Sequence, residues 1–302
     1  MKEKLLSKKN GYYLLSALVG GIATFVLTIL VYGVILSDYN LSTMEYGIHA
    51  LSCLANGFYV TTVLRWGKFH GAAKGALTGA VISFLTDAYF IGVSVAMFGT
   101  VTVWKGLFQA LIWALINAGV GAVSALIFDR ATTENDTHIA KISKRTLLTK
   151  ENGYFTLTGV VGGIVAIALT ALIYAVILAP FLLSDTEDVN AASLLLNAQI
   201  IVFPLANISH AVLISLIIRW GKFYMPWQGA LSATAVACMT DLYFGFRDVA
   251  VKPVGGIKEM TVASAIQDTG IWMVLNIFLG AFLAWMLGRY IKKHKTSNTV
   301  KS

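Results

Sequence analysis

The sequence predicts an all-α integral membrane protein of eight transmembrane helices, arranged as two parallel four-helix repeats with both termini cytoplasmic. Three observations carry that expectation. Of 302 residues, 57% are apolar and only 13% charged, against about 25% charged in soluble domains; charge is depleted on this scale where lipid replaces water. Lysine and arginine gather in alternate connections between the apolar runs, and blocks of residues recur at fixed offsets along the chain.

Crossing about 30 Å of hydrocarbon as a helix takes roughly 20 apolar residues. Eight runs qualify, at about 12–36, 46–65, 73–98, 103–128, 154–183, 194–218, 227–246 and 262–288. None shows the period-two alternation of barrel strands, so helices are expected throughout. The first run follows Lys2, Lys4, Lys8 and Lys9, as a secretory signal would. It is longer than a signal's apolar core, has no small-residue cleavage site before Asp38, and has a near copy in the chain interior. It is therefore expected to be retained. The second run ends in Arg65-Trp66-Gly67-Lys68-Phe69, the third carries Gly75, Gly79, Ser83 and Asp87 at four-residue spacing, and the fourth carries Trp113, Asn117 and Gly121.

The remaining four runs repeat this order. Asn10-Gly11-Tyr12 and Val19-Gly20-Gly21-Ile22 return as Asn152-Gly153-Tyr154 and Val161-Gly162-Gly163-Ile164, 142 residues later. Arg65-Trp66-Gly67-Lys68-Phe69 returns unchanged as Arg219-Trp220-Gly221-Lys222-Phe223, and Thr86-Asp87-Ala88-Tyr89-Phe90 as Thr240-Asp241-Leu242-Tyr243-Phe244, both at an offset of 154. Trp113, Asn117 and Gly121 correspond to Trp272, Asn276 and Gly280. The expected organisation is a first repeat over 1–130, a polar cytoplasmic linker over 131–151 and a second repeat over 152–302. An even number of spans per repeat makes the duplication parallel, about an axis along the membrane normal.

Orientation follows from charge. With eight spans, 19 of the 23 basic residues fall on one side, among them Arg65, Lys68, Lys74, Arg130, Lys144, Arg219, Lys222 and Arg289. The other side keeps Lys105, Arg247, Lys252 and Lys258 and collects Asp38, Glu45, Asp185, Glu187, Asp188, Asp248 and Glu259. The positive-inside rule puts both termini in the cytoplasm, with a plasma or inner membrane as the location. The net charge of +8 is thereby accounted for by anionic lipid, and nucleic acid is not an expected partner.

Asp87 and Asp241 are the first candidates for chemistry. Each lies about 18 Å along its helix from Gly75 or Gly229, near the midplane, where an ionised group costs roughly 3 kcal/mol to insert and should face protein or water. Stripes of small residues, Gly75, Gly79, Ser83 and Gly229, Ala233, Ala237, precede them and let another helix approach. Two readings result: a shared proton or cation site near the repeat axis, or two carboxyls that fix packing. Asn117 and Asn276 are expected to hydrogen-bond between helices or to line a polar path. His210, aligned with Asn56, is expected to bond between helices in preference to holding a metal, with proton relay as a further alternative; Asp268 is expected at a solvated rim, with an asymmetric entry to a cavity as the alternative.

Arg65, Trp66, Lys68 and their counterparts Arg219, Trp220 and Lys222 read as headgroup anchors, with the glycine supporting a tight turn. The paired glycines Gly20-Gly21 and Gly162-Gly163 read as close-packing sites. The five histidines lack metal-ligand spacing, Cys53 and Cys238 sit inside apolar runs, and no glycine-rich phosphate loop or nucleophile elbow occurs. No metal, cofactor or enzymatic activity is expected. The expected partners are the lipid bilayer and a small solute or ion, with transport of that solute as the leading function and the aspartates as the groups that would couple it to protons. A non-catalytic membrane scaffold or assembly subunit is the alternative.

Overall fold

The chain is all-helical in the computed structural model, which describes residues 8–35, 41–98, 103–132, 150–173, 191–251 and 261–299. Helix α1 spans Lys8–Thr28 and runs on as a π-helical segment over Ile29–Ile35. Helices α2 to α4 span Thr43–Gly67, Ala72–Phe98 and Val103–Thr132. Helices α5 to α8 span Lys150–Ile173, Ala191–Gly221, Pro226–Val251 and Val262–Thr299. A capping box starts α2: Ser42 Oγ accepts from the Glu45 amide, and Glu45 answers on the Ser42 amide.

Among the described residues six stretches are long and apolar enough to cross a membrane: Asn10–Val34, Thr43–Gly67, Ala72–Val93, Val103–Arg130, Val202–Gly221 and Val262–Lys292. The chain is a multi-pass membrane protein. In α5 the apolar run Leu157–Thr170 is shorter. Helix α7 is about 39 Å long by its 26 residues, but Asp241, Arg247 and Asp248 lower its apolar character. Most of the expected 131–151 linker lies outside the described residues. So do Asp38, Asp185, Glu187, Asp188, Lys252, Lys258 and Glu259.

Helix α1 shows how the sequence adapts to lipid. Leu18, Ile22, Val26, Leu30 and Val34 form an exposed stripe at four-residue spacing, while Ser16, Ala17, Thr24 and Thr28 are buried. The apolar face is outside and the small polar face inside, the reverse of a soluble amphipathic helix. Small side chains let backbones touch. A Cβ on Gly57 would strike the Ala17 carbonyl and the Gly21 backbone, so α1 and α2 meet at glycine. Gly163 of α5 packs against the Ile208 side chain and Cα of α6. The paired glycines thus serve close packing.

By internal contacts the chain forms two compact units. One comprises Met1–Phe84, Ala110–Ile142 and Val236–Trp272; the other comprises Leu85–Gln109, Ser143–Ala235 and Met273–Ser302. Helices α3, α4, α7 and α8 each contribute residues to both units, so a unit combines the first two helices of one sequence half with helix segments from both halves.

The Arg-Trp-Gly-Lys-Phe blocks end α2 and α6 with one geometry. Lys68 and Lys222 take left-handed backbone, φ 52° and 57°. The Phe69 amide donates to the Leu64 carbonyl at 3.0 Å and the Lys68 amide to the Arg65 carbonyl at 3.4 Å; Phe223 to Ile218 and Lys222 to Arg219 repeat this at 2.9 and 3.3 Å. This is a Schellman closure. The left-handed position in each turn belongs to the lysine and not to the glycine. Gly67 and Gly221 instead leave room for the Phe69 and Phe223 rings, into which a Cβ would run. Left-handed backbone costs a non-glycine residue about 1 kcal/mol, so Lys222→Gly is expected to raise the thermal unfolding midpoint of the detergent-solubilised protein slightly. An unchanged or lower midpoint would show that the lysine side chain compensates for its strain.

Candidate functional site

In the first unit four helices are joined by one line of polar side chains. Thr24 Oγ1 of α1 donates to the Gly20 carbonyl at 2.9 Å. The Asn56 amide of α2 donates to Thr24 Oγ1 at 3.0 Å and to Asn117 Oδ1 of α4 at 2.7 Å. Asn117 Nδ2 donates to Ser83 Oγ of α3 at 3.0 Å and to the Trp113 carbonyl at 3.2 Å. All four side chains are buried. The line exists because α3 and α4 touch at backbone level. A Cβ on Gly75 would hit the Gly121 carbonyl, and one on Gly79 the Asn117 carbonyl. The small-residue stripe of α3 thus brings Ser83 within reach of Asn117.

The second unit holds the corresponding pair. His210 Nε2 of α6 and Asn276 Oδ1 of α8 are hydrogen-bonded at 2.8 Å, at the sequence positions that match Asn56 and Asn117. Tyr89 stacks on His210 with ring centroids 4.3 Å apart, and Ser209 Oγ donates to the Leu85 carbonyl at 2.8 Å. The Thr24 and Ser83 positions correspond to Ala166 and Ala237, so this line is shorter. Thr170 Oγ1 bonds Asn207 Oδ1 at 3.3 Å instead.

Asp87 and Asp241 are 2% and 7% exposed. Asp87 belongs to the second compact unit and Asp241 to the first. On α3, Asp87 lies one helical turn beyond Ser83. Within the first unit Asp268 of α8, half-buried, lies within electrostatic reach of Asp241. Among the described residues, no group of three or more His, Cys, Asp or Glu side chains gathers as a metal site.

Of the anchor residues, Arg65 and Lys68 are exposed and Trp66, Trp220 and Arg219 half-buried, with Lys222 exposed. The arginines also face protein. Arg65 lies over the Tyr13 ring at 4.8 Å and donates to Asn10 Oδ1 at 3.0 Å. Arg219 lies over Phe155 at 5.3 Å. Both contacts tie the end of one helix to the helix before it by cation–π attraction.

A further cluster in the first unit escaped the sequence reading. Arg247, near the C-terminal end of α7, has its guanidinium 4.4 Å from the Phe244 ring centroid, 5.8 Å from Trp113 and 5.9 Å from Tyr243. Tyr243 meets Trp113 edge-on at 5.6 Å, and Tyr32, from the π-helical segment after α1, lies 5.7 Å from the same indole. Ser52 Oγ of α2 docks on the Tyr243 carbonyl at 2.9 Å, and His49 lies within Coulombic reach of Arg247. One signal pointed here: where the first half has Val93 and Ser94, the second has Arg247 and Asp248. A charge pair placed on only one copy of a repeated helix breaks the pattern. No protein family, curated protein or solved structure matches the chain.

Proposed function

We propose that the protein moves a small solute or ion across the plasma or inner membrane, with both termini cytoplasmic, and that protonation of its buried carboxyls couples to that movement. The observation that carries this reading is the burial of Asp87 in a helix long and apolar enough to span the membrane, and of Asp241 at the matching position of α7. A carboxyl in such a place costs roughly 3 kcal/mol to insert, and packing alone is served as well by an amide. Asp268 lies within electrostatic reach of Asp241 and supplies a second acidic group beside it. The lines of buried amides, hydroxyls and imidazole offer a polar interior beside these groups. The repeated turns and glycine contacts support an origin as two parallel four-helix repeats.

The test is proton flux into liposomes that hold the purified protein and a pH-sensitive dye. Asp87→Asn and Asp241→Asn are each expected to lower flux at least about tenfold, since an amide has no proton to exchange, while elution and thermal midpoint stay near wild type. Unchanged flux in both variants would overturn the reading. A specific observation favours the second reading, a non-catalytic scaffold or assembly subunit. Asn117 makes three hydrogen bonds to buried groups, as a purely architectural residue would. Wild-type protein that carries no proton flux under any imposed gradient would favour that reading.

A further inference from the structure

We propose that the cleft between α5, the α6–α7 turn and α8 binds the phosphate of an anionic phospholipid, in the leaflet that meets the basic turns. The site stands apart from the transport reading and lies wholly within the second compact unit. Tyr154 and Phe155 of α5, Arg219 of α6, Tyr224 of the turn, and Tyr290 and Ile291 of α8 wall it. It opens where the apolar stretches Val202–Gly221 and Val262–Lys292 end, the level at which phosphates and tyrosines meet in a bilayer. Among the described residues that line it, Arg219 is the one cation, and no carboxylate accompanies it. A guanidinium has five donors, so an anion adds to the ring contact with Phe155 at 5.3 Å without replacing it. Lys222 and Arg289, both exposed, add positive charge close by in sequence.

The first half fills the matching corner with an anion of its own. Asp129, near the end of α4, pairs with His70 Nδ1 at 2.9 Å and accepts from the Gly71 amide at 2.7 Å. In the second half the positions of His70 and Asp129 hold Tyr224 and Gly288. A Cβ on Gly288 would strike the Tyr224 carbonyl, so an acid there has no room. Two hydroxyls of the cleft are loosely engaged: Tyr154 donates to the Met286 carbonyl at 3.4 Å and Tyr224 to the Arg219 carbonyl at 3.5 Å, longer than ordinary hydroxyl bonds. A charged phosphate oxygen is the stronger acceptor. Tyr154 stacks on Tyr290 at 4.1 Å, which holds both rings as walls.

Size selects a lipid over a free ion. The interior admits about one water-sized group, enough for a single phosphate oxygen, and the rest of the ester stays outside at the headgroup level. One enclosed oxygen holds a free phosphate weakly, whereas acyl chains keep a lipid beside the cleft and raise its local concentration. A choline headgroup brings a cation that Arg219 repels and that no lining acid balances, so a net anionic lipid is preferred.

The experiment is native mass spectrometry of the full chain in detergent, titrated with dioleoyl phosphatidylglycerol, with dioleoyl phosphatidylcholine and glycerophosphate as comparison probes. Wild type is expected to take up a first phosphatidylglycerol several-fold more tightly than phosphatidylcholine, and glycerophosphate should not displace it. Arg219→Gln should lose roughly tenfold in affinity for that first lipid, and Arg219→Lys should recover only part of it, because an ammonium cannot form the two-bond fork. Arg65→Gln is the deciding comparison. It removes the matching charge from the first half, where Asp129 already occupies the corner, and should leave the tight lipid in place. Equal losses from Arg65→Gln and Arg219→Gln would show general headgroup anchoring and overturn the site, as would equal uptake of the two lipids. Displacement by glycerophosphate would overturn the lipid in favour of a soluble phosphate ester. Should Arg219→Gln fail to fold, Tyr154→Phe combined with Tyr224→Phe keeps the rings and removes the hydroxyls; a several-fold loss then supports the site, and unchanged affinity overturns it.

Discussion

Gly121→Leu is expected to abolish a stably folded protein. A Cβ at this position would collide with the Gly75 carbonyl, and one at Gly75 with the Gly121 carbonyl, so the two backbones are mutual neighbours with no side chain to yield. Overpacking in cores typically costs about 1–3 kcal/mol. Here both walls are backbone, and α3 and α4 would have to part along the line that holds Ser83 against Asn117, so about 3 kcal/mol or more is expected. Lipid offers no hydrophobic penalty for separated helices, and nothing draws them back. Gly280→Leu, facing the Gly229 carbonyl, should behave alike. Gly270→Ala is the control, because a Cβ there meets nothing within 4 Å. Size-exclusion profiles and thermal midpoints in detergent decide: wild-type behaviour by Gly121→Leu would disprove the backbone contact.

Asn117→Leu should be the next most damaging change. It removes three hydrogen bonds and leaves one N–H of the buried Asn56 amide without its acceptor, the other still reaching Thr24. A polar group so orphaned costs about 1–3 kcal/mol, although single pairs in membrane proteins average only about 0.6 kcal/mol; a loss of about 2–4 kcal/mol is expected. His210→Asn provides the contrast. It gives the second unit the Asn–Asn pairing that Asn56 and Asn117 already use in the first, at the cost of the Tyr89 stack, so a loss within about 1 kcal/mol is expected. Denaturant unfolding in mixed micelles measures both. If the two variants proved equally mild, the polar line would not be a packing determinant.

Local patterns were the legible part of this molecule. Apolar run length marks most helices, and the i, i+4 stripe Gly75, Gly79, Ser83 announces a close helix contact because spacing alone puts those residues on one face. The stripe does not name its partner; that depends on which helix offers an equally small surface, and Gly121 does. The Arg-Trp-Gly-Lys-Phe block reads as a turn, yet the division of labour within it was hidden. Gly67 leaves room for the Phe69 ring, while Lys68 takes the left-handed backbone. The Arg247 cluster was the least legible. Its parts come from α1, α4 and α7, segments far apart in sequence, and arginine on the side poor in basic residues counted as topology before it counted as chemistry. The assignment of Asp87 and Asp241 to different compact units was also beyond a pattern of spacing, because it depends on which helix ends gather with which.

The composition of the first unit has a consequence for biogenesis. Residues Met1–Phe84 and Ala110–Ile142 complete their unit only with Val236–Trp272, which the ribosome delivers last of the three, on the order of ten seconds later at ordinary elongation rates. Until then Ser52 lacks the Tyr243 carbonyl and Trp113 lacks Arg247 and the Tyr243 ring. The nascent chain must hold these polar and aromatic surfaces in a provisional state, sheltered by the insertion machinery or by its own early helices. Maturation is then timed by the arrival of α7.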